Sequence, residues 1–152
     1  MNKVEELQKS RLFEGLLPEE IEMLAELTQQ KKYTEGEVVF EQGDVGDSLY
    51  LLVEGVVEVL QKRSDGSEQL ITELQAPEFF GEMSLIDKEY RSATIRAKSE
   101  AIMLCLTNEN LHSFARVYKN GFTLVVINIA RVLSARLRET NLKLLKKNTP
   151  GQ

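Results

Sequence analysis

The chain is poor in the residues that most specialised chemistry requires. It holds one cysteine, Cys105, and one histidine, His112, in 152 residues. One cysteine forms no internal disulfide, which points to a reducing, cytoplasmic setting. Cys105 lies in the apolar run AIMLCL and reads as packing rather than as a redox centre. One histidine, on a predicted helix, gives no metal cluster. There is no pairing of Ser or Cys with His for nucleophilic catalysis, and no G-x-x-x-x-G-K-[ST] loop. Cationic excess is also missing: 19 Lys and Arg stand against 24 Asp and Glu, a net charge of −5. Nonspecific nucleic-acid binding needs a basic face, so direct contact with nucleic acid is not expected. The most apolar run, Phe122 to Leu133, is interrupted by Thr123, Asn128 and Arg131 and is too short to span a bilayer. The polar start MNKVEELQK is no signal peptide. No membrane, metal or enzymatic role is therefore expected.

What remains is an ordinary globular composition, 42% hydrophobic and 28% charged, with enough length for one core. Residues 3–9 and 18–29 read as helices. Pro18 sits at a first helical position, followed by Glu19 and Glu20 in the first turn. From Tyr33 the apolar period shifts toward two. Strands are expected at Val38–Glu41, Leu49–Val53, Val56–Gln61, Leu70–Leu74, Ala93–Ala97 and Ala101–Leu106. Asp65-Gly66 marks a hairpin turn. Thr107 or Asn108 caps a helix running to about Tyr118, and a longer helix runs from Phe122 to about Lys147. Strands bracketed by helices predict an α+β domain. Residues 148–152 read as a frayed tail.

The stretch FGEMSLIDKEYRSAT, Phe80 to Thr94, is the richest in chemistry. Gly81 lets the backbone approach an anion closely, and Glu82 to Leu85 can form a short helical turn whose N–H groups face it. Arg91, nine residues after Glu82, supplies a guanidinium fork for a phosphate. An acid at a positive helix end competes with an anion, so Glu82 makes better sense facing a sugar hydroxyl. Taken singly, Arg91 could be a surface ion pair and Glu82 a helix-start acid.

Together these residues resemble the phosphate-binding cassette of cyclic nucleotide-binding domains, found in protein kinase A regulatory subunits and bacterial catabolite activator proteins. Phe80 to Leu85 and Arg91 to Thr94 fit that pattern. Upstream, Gly43 to Leu51, Gly55, Val57 and Val59 are similar to the glycine-rich turn and strand pair of the same family. The resemblance runs from about Leu12 to Leu144. It implies an antiparallel β-roll (a jelly-roll-like double-stranded β-helix) with N-terminal helices and a long C-terminal helix. One domain is expected over 1–152: helices to residue 30, β-roll over 31–107 with the cassette at 80–94, helices over 108–147. Pro77 departs from the family, which usually carries glycine near that point.

The resemblance also assigns roles. Gly81, Met83, Ser84, Arg91, Ser92 and Ala93 would cradle the cyclic phosphate, and Glu82 would accept from the ribose 2′-hydroxyl. Thr140 and Asn141 match the segment of the long helix that meets adenine in catabolite activators, although Asn141 replaces a serine; solvated positions on a helix explain them as well. Val59 and Leu74 would give apolar contact to the base, and core packing explains them as well. Ser92 does not settle the base. Cyclic AMP is the expected ligand, with cyclic GMP the alternative. Ile127, Ala130, Ser134, Leu137, Asn141 and Leu144 recur at spacings of three and four, a seam that either faces a second copy or packs on the β-roll. The expected function is a stand-alone regulatory sensor that moves its C-terminal helix and signals to a dimer mate or an unidentified effector protein. A scaffold without nucleotide, or a piece of a larger transcription factor or channel, is the alternative.

Overall fold

A computed structural model describes residues 1–87 and 90–147. Helices α1 (Lys3–Gln8) and α2 (Pro18–Leu27) flank a short 3-10 turn at Arg11–Phe13. Among the described residues eight strands follow: β1 (Gln29–Tyr33), β2 (Val38–Phe40), β3 (Ser48–Glu54), β4 (Val56–Lys62), β5 (Glu68–Gln75), β6 (Phe79–Phe80), β7 (Thr94–Ala97) and β8 (Ala101–Thr107). The short helix α3 (Met83–Asp87) lies between β6 and β7; α4 (Asn108–Val117) and α5 (Lys119–Lys147) close the fold. The strands form two antiparallel four-stranded sheets, ordered β1-β8-β3-β6 and β2-β7-β4-β5. This is the expected β-roll with N-terminal helices and a long C-terminal helix.

The period-two pattern of β3 and β8 divides the interior into two cores. Leu49, Leu51, Leu104 and Leu106 face the helices, where they meet Leu12, Phe114, Val125 and Ile129. Tyr50, Leu52, Met103 and Cys105 point the other way, into the space between the sheets, with Val57, Phe80 and Ile95. Successive side chains on a strand point to opposite faces, so one central strand serves both cores. Each large aliphatic side chain so buried contributes about 1.5–3 kcal/mol.

Helix ends follow the residue types. Asn2 Oδ1 accepts from the Glu5 N–H at 3.2 Å, and Thr107 Oγ1 accepts from the Asn110 N–H at 3.1 Å. The predicted helix 18–29 stops at Leu27, because Gln29 to Tyr33 pair with β8 instead. That strand, QQKKY, has no apolar alternation; cross-strand hydrogen bonds rather than burial define it. The two-residue strand β6 was likewise not expected. It pairs with Tyr50 and Leu51 and splits Phe79 and Phe80 between the two cores. The last helix begins at Lys119, three residues before the predicted start. The predicted tail, 148–152, lies outside the described residues.

The packing of α5 decides which of its faces stays free. Val125, Asn128, Ile129 and Val132 are buried, and Asn128 Nδ2 donates to the Leu12 and Glu14 carbonyls at 3.0 Å each. From Leu137 to Lys147 every residue is exposed. The seam residues Ile127, Ala130, Ser134, Leu137, Asn141 and Leu144 all face away from the β-roll. Packing on the β-roll therefore does not account for that seam. Among the described residues no helix is long and apolar enough to cross a membrane.

Candidate functional site

The two glycine-containing motifs, remote in sequence, meet at Arg91. Its backbone N–H donates to the Asp44 carbonyl at 2.6 Å, and its carbonyl accepts from the Gly43 N–H at 2.9 Å. Its side chain then runs past Gly46, where a Cβ would stand 2.6 Å from Ser84 Cβ and 3.3 Å from Arg91 Nε. Only a residue without a side chain allows the two chains to approach so closely.

Arg91 is nearly buried, at 7% exposure. Nη2 donates to the Ser48 carbonyl at 2.9 Å and to Ser48 Oγ at 3.3 Å; Nη1 donates to the Gly81 carbonyl at 3.2 Å. Its Cζ lies 3.9 Å from the centre of the Phe40 ring. Nε is buried and finds no partner among the described residues. Burial pulls the pKa of this arginine below its ordinary value, against the raising effects of Tyr50, Asp47, Cys105 and Asp44. No carboxylate forms a salt bridge with it among the described residues. Among the described residues, then, this buried cation has no salt-bridge partner and one donor unsatisfied, chemistry that suits a bound anion.

Gly81 turns the chain into α3 with φ of +83°, a conformation that strains any side chain. Its carbonyl accepts from Arg91 Nη1 and, at 3.0 Å, from Ser84 Oγ. Glu82 follows and is 5% exposed. Burial raises its pKa; its own backbone N–H and the Arg136 and Arg91 cations act the other way. Arg136, from α5, reaches Glu82 Oε1 at 3.4 Å.

These groups border a cleft of about 240 Å³. Every residue assigned to the phosphate or the ribose lines it: Gly81, Glu82, Met83, Ser84, Arg91, Ser92 and Ala93. So do Val59 and Leu74, which stand on β4 and β5 at one wall. Thr140 and Asn141 do not: both are exposed and lie beyond the lining, with Thr140 Oγ1 donating to the Arg136 carbonyl at 3.0 Å. Sequence reasoning did not assign several other lining residues, among them Phe40, Thr72 and Arg136. Phe40, under the arginine, looked like any strand aromatic. Thr72 pairs across from Val59 and brings a hydroxyl to the same wall. Arg136 carried one usable signal, a position one helical turn before Thr140. Among the described residues no group of His, Cys, Asp and Glu could hold a metal ion.

A β-roll that presents a buried arginine and a buried carboxylate in one cleft defines a binding domain for a small ligand with an anionic and a hydroxylic part. Known proteins agree. Residues 30–118 match the cyclic nucleotide-binding domain family, and the chain belongs to it. It is 37% identical over 138 residues, 91% of this chain, to the cyclic AMP receptor protein of Thermus thermophilus, and covers 62% of that protein. It is 35% identical over 94 residues, 62% of this chain, to the cyclic AMP-dependent protein kinase regulatory subunit of Blastocladiella emersonii, covering 23% of it. Among solved structures it is similar to a cyclic nucleotide-binding domain from Methylobacillus flagellatus, with TM-score 0.84 and 29% identity over 99% of this chain and 84% of that one. The chain thus spans only part of the length of the curated relatives it matches.

The buried carboxylate has a measurable consequence. Folding raises the Glu82 pKa, so folding disfavours its charged form. That cost is fully present above the raised pKa and disappears below the ordinary carboxylate range. Glu82→Gln removes the charge and keeps the shape. The variant is expected to melt a few degrees higher than wild type at neutral pH without ligand, and the difference should close as pH falls toward 4. Equal melting temperatures at pH 7 would show that Arg136 fully offsets the burial.

Proposed function

We propose that this chain is a regulatory domain that binds a cyclic nucleotide, cyclic AMP as the expected ligand, and signals through its C-terminal helix. The observation that carries this reading is Arg91: a buried guanidinium whose Nε has no partner among the described residues, beside the Gly81 turn. The cyclic phosphate carries one negative charge and suits that cation. Glu82 is the acceptor for the ribose 2′-hydroxyl. Val59, Leu74 and Thr72 are the wall for the base. The names of the two relatives, a cyclic AMP receptor and a cyclic AMP-dependent kinase subunit, support cyclic AMP over cyclic GMP. The chain acts by binding rather than by catalysis, in the cytoplasm, with no nucleic-acid or membrane contact of its own.

The signal runs through Arg136. It is the α5 side chain that reaches into the cleft, and it touches the ribose acceptor. A ligand on Glu82 changes what Arg136 meets, and so favours one position of α5 over another. The partner of α5 is a second copy of this chain. Ile127, Leu137 and Leu144 are 42%, 61% and 53% exposed on one face at seam spacing. Leu137→Glu should turn a dimer into a monomer in sedimentation velocity while ligand still binds the β-roll. A wild-type monomer at every accessible concentration, with and without ligand, would sink the dimer.

Isothermal titration with cyclic AMP and cyclic GMP tests the function itself. Saturable binding is expected, tighter for cyclic AMP, and weaker for 2′-deoxy cyclic AMP, which leaves Glu82 short of a donor. No binding of any of them at millimolar concentration would overturn the proposal and favour a scaffold that uses the fold without a nucleotide.

A further inference from the structure

The ion pair at the sugar end of the cleft is made in an unusual way. A guanidinium next to a lone buried carboxylate ordinarily closes on it with two parallel bonds. Arg136 does not. Nη1 reaches Glu82 Oε1 at 3.4 Å, long for a charge-assisted bond. Nη2 is turned away, donating to Glu78 Oε2 at 3.1 Å and to the Phe79 carbonyl at 3.1 Å. The Phe79 ring lies 5.1 Å from Arg136 Cζ and backs that orientation.

Glu78 is well placed to hold the cation off. Its N–H donates to the Gln75 carbonyl at 3.0 Å, and its carbonyl accepts from the Leu52 N–H at 2.9 Å. The backbone is therefore fixed to the central strand β3. From the other side Arg11, in the 3-10 turn, donates Nη2 to both carboxylate oxygens at 3.3 and 3.4 Å. Two arginines from opposite ends of the chain clamp one carboxylate, and one of them is the arginine that touches Glu82.

We infer that Glu78 is a positioning residue for the sugar subsite, taking one arm of Arg136 so that Glu82 stays available to a sugar hydroxyl. This rests on reading the cleft as a cyclic nucleotide site. Without Glu78 the Arg136 fork is free to turn fully onto Glu82. The attraction is strong there because Glu82 is buried. A 2′-hydroxyl then has to displace a two-bond ion pair. The phosphate end depends on Arg91 and Gly81, neither of which touches Glu78, so binding of the phosphate is unaffected. The signature is a lost preference for the hydroxyl, not a general loss of affinity.

The test is calorimetric titration of the whole chain as wild type, Glu78→Ala, Arg136→Ala and the double variant, each with cyclic AMP and 2′-deoxy cyclic AMP. Circular dichroism and melting curves check the fold of each; Glu78 is partly exposed, and its replacement leaves the cores intact. Glu78→Ala is expected to weaken cyclic AMP by about fivefold, one hydrogen bond's worth, and to leave the deoxy ligand within about twofold. In the Arg136→Ala background, Glu78→Ala should do nothing further, since it acts only through that arginine. Equal weakening of both ligands, an unchanged preference, or the same effect with Arg136 absent would each overturn the positioning role. A wild type that binds cyclic AMP and its deoxy form equally would overturn it too, by removing Glu82 from sugar recognition. A wild type that binds neither would overturn the reading of the cleft itself.

Discussion

Arg91→Ala should cut the affinity for cyclic AMP by ~30-fold to several thousand-fold, the equivalent of ~2–5 kcal/mol for removing the partner of a buried anion. The magnitude follows from where the side chain sits. At 7% exposure its charge is little screened, and no described carboxylate competes for it in a salt bridge. The residue also holds the site together, through the Gly81 carbonyl, the Ser48 carbonyl and Ser48 Oγ. Part of the loss will therefore be a loosened cassette. Arg91→Lys separates the two roles. Lysine keeps the charge but lacks the fork that spans Gly81 and Ser48, so affinity should be recovered only in part. Titration of both variants against wild type reads this directly. Wild-type affinity in Arg91→Ala would remove the arginine from phosphate binding and with it the proposed mechanism.

The largest expected loss of stability is at a residue outside the cleft. Gly55 joins β3 to β4 with φ of +95°. A Cβ there would stand 2.9 Å from Ala101 Cα and 3.0 Å from Ala101 Cβ, and would press on the Glu100 carbonyl. The left-handed conformation alone costs an L-residue roughly 1–2 kcal/mol. The obstacle is backbone, which cannot rotate aside, and an overpacked site of this kind adds about 1–3 kcal/mol. Gly55→Ala should thus lose roughly 3 kcal/mol, a large part of the ~5–15 kcal/mol of a typical domain. Gly66 has a similar φ of +87° but open space where its Cβ would go, so Gly66→Ala should show the backbone cost alone. Urea unfolding of both variants makes the comparison. Equal losses at the two positions would mean that the β3–β4 turn relaxes around the added methyl.

The cassette was readable because its chemistry is local. Gly81, Glu82 and Arg91 stand within about ten residues of one another, and each has a chemical reason to be the residue type it is. The central strands were readable because burial of both faces of β3 and β8 forces near-continuous apolar runs. The first strand was not. Gln29 to Tyr33 are polar and carry no period, and only the partner strand β8 makes them a strand. Nor could the seam on α5 be assigned a side. Its spacing fits a partner helix and a β-roll equally, and the choice fell to Val125, Asn128, Ile129 and Val132, which take the buried face.

By itself, then, the sequence carried the α+β alternation through strand and helix periodicity, and the Gly81, Glu82 and Arg91 set through short-range spacing; the family and its β-roll were legible through the motifs that resemble it. The tertiary structure alone decided what surrounds Glu82. Arg136 meets Glu82 across 54 residues and Glu78 across 58, while Arg11 reaches Glu78 across 67. No periodicity or motif records such a meeting. It exists because the buried stripe of α5 docks the helix on the N-terminal turn and the β-roll, which carries one arginine to the mouth of the cleft.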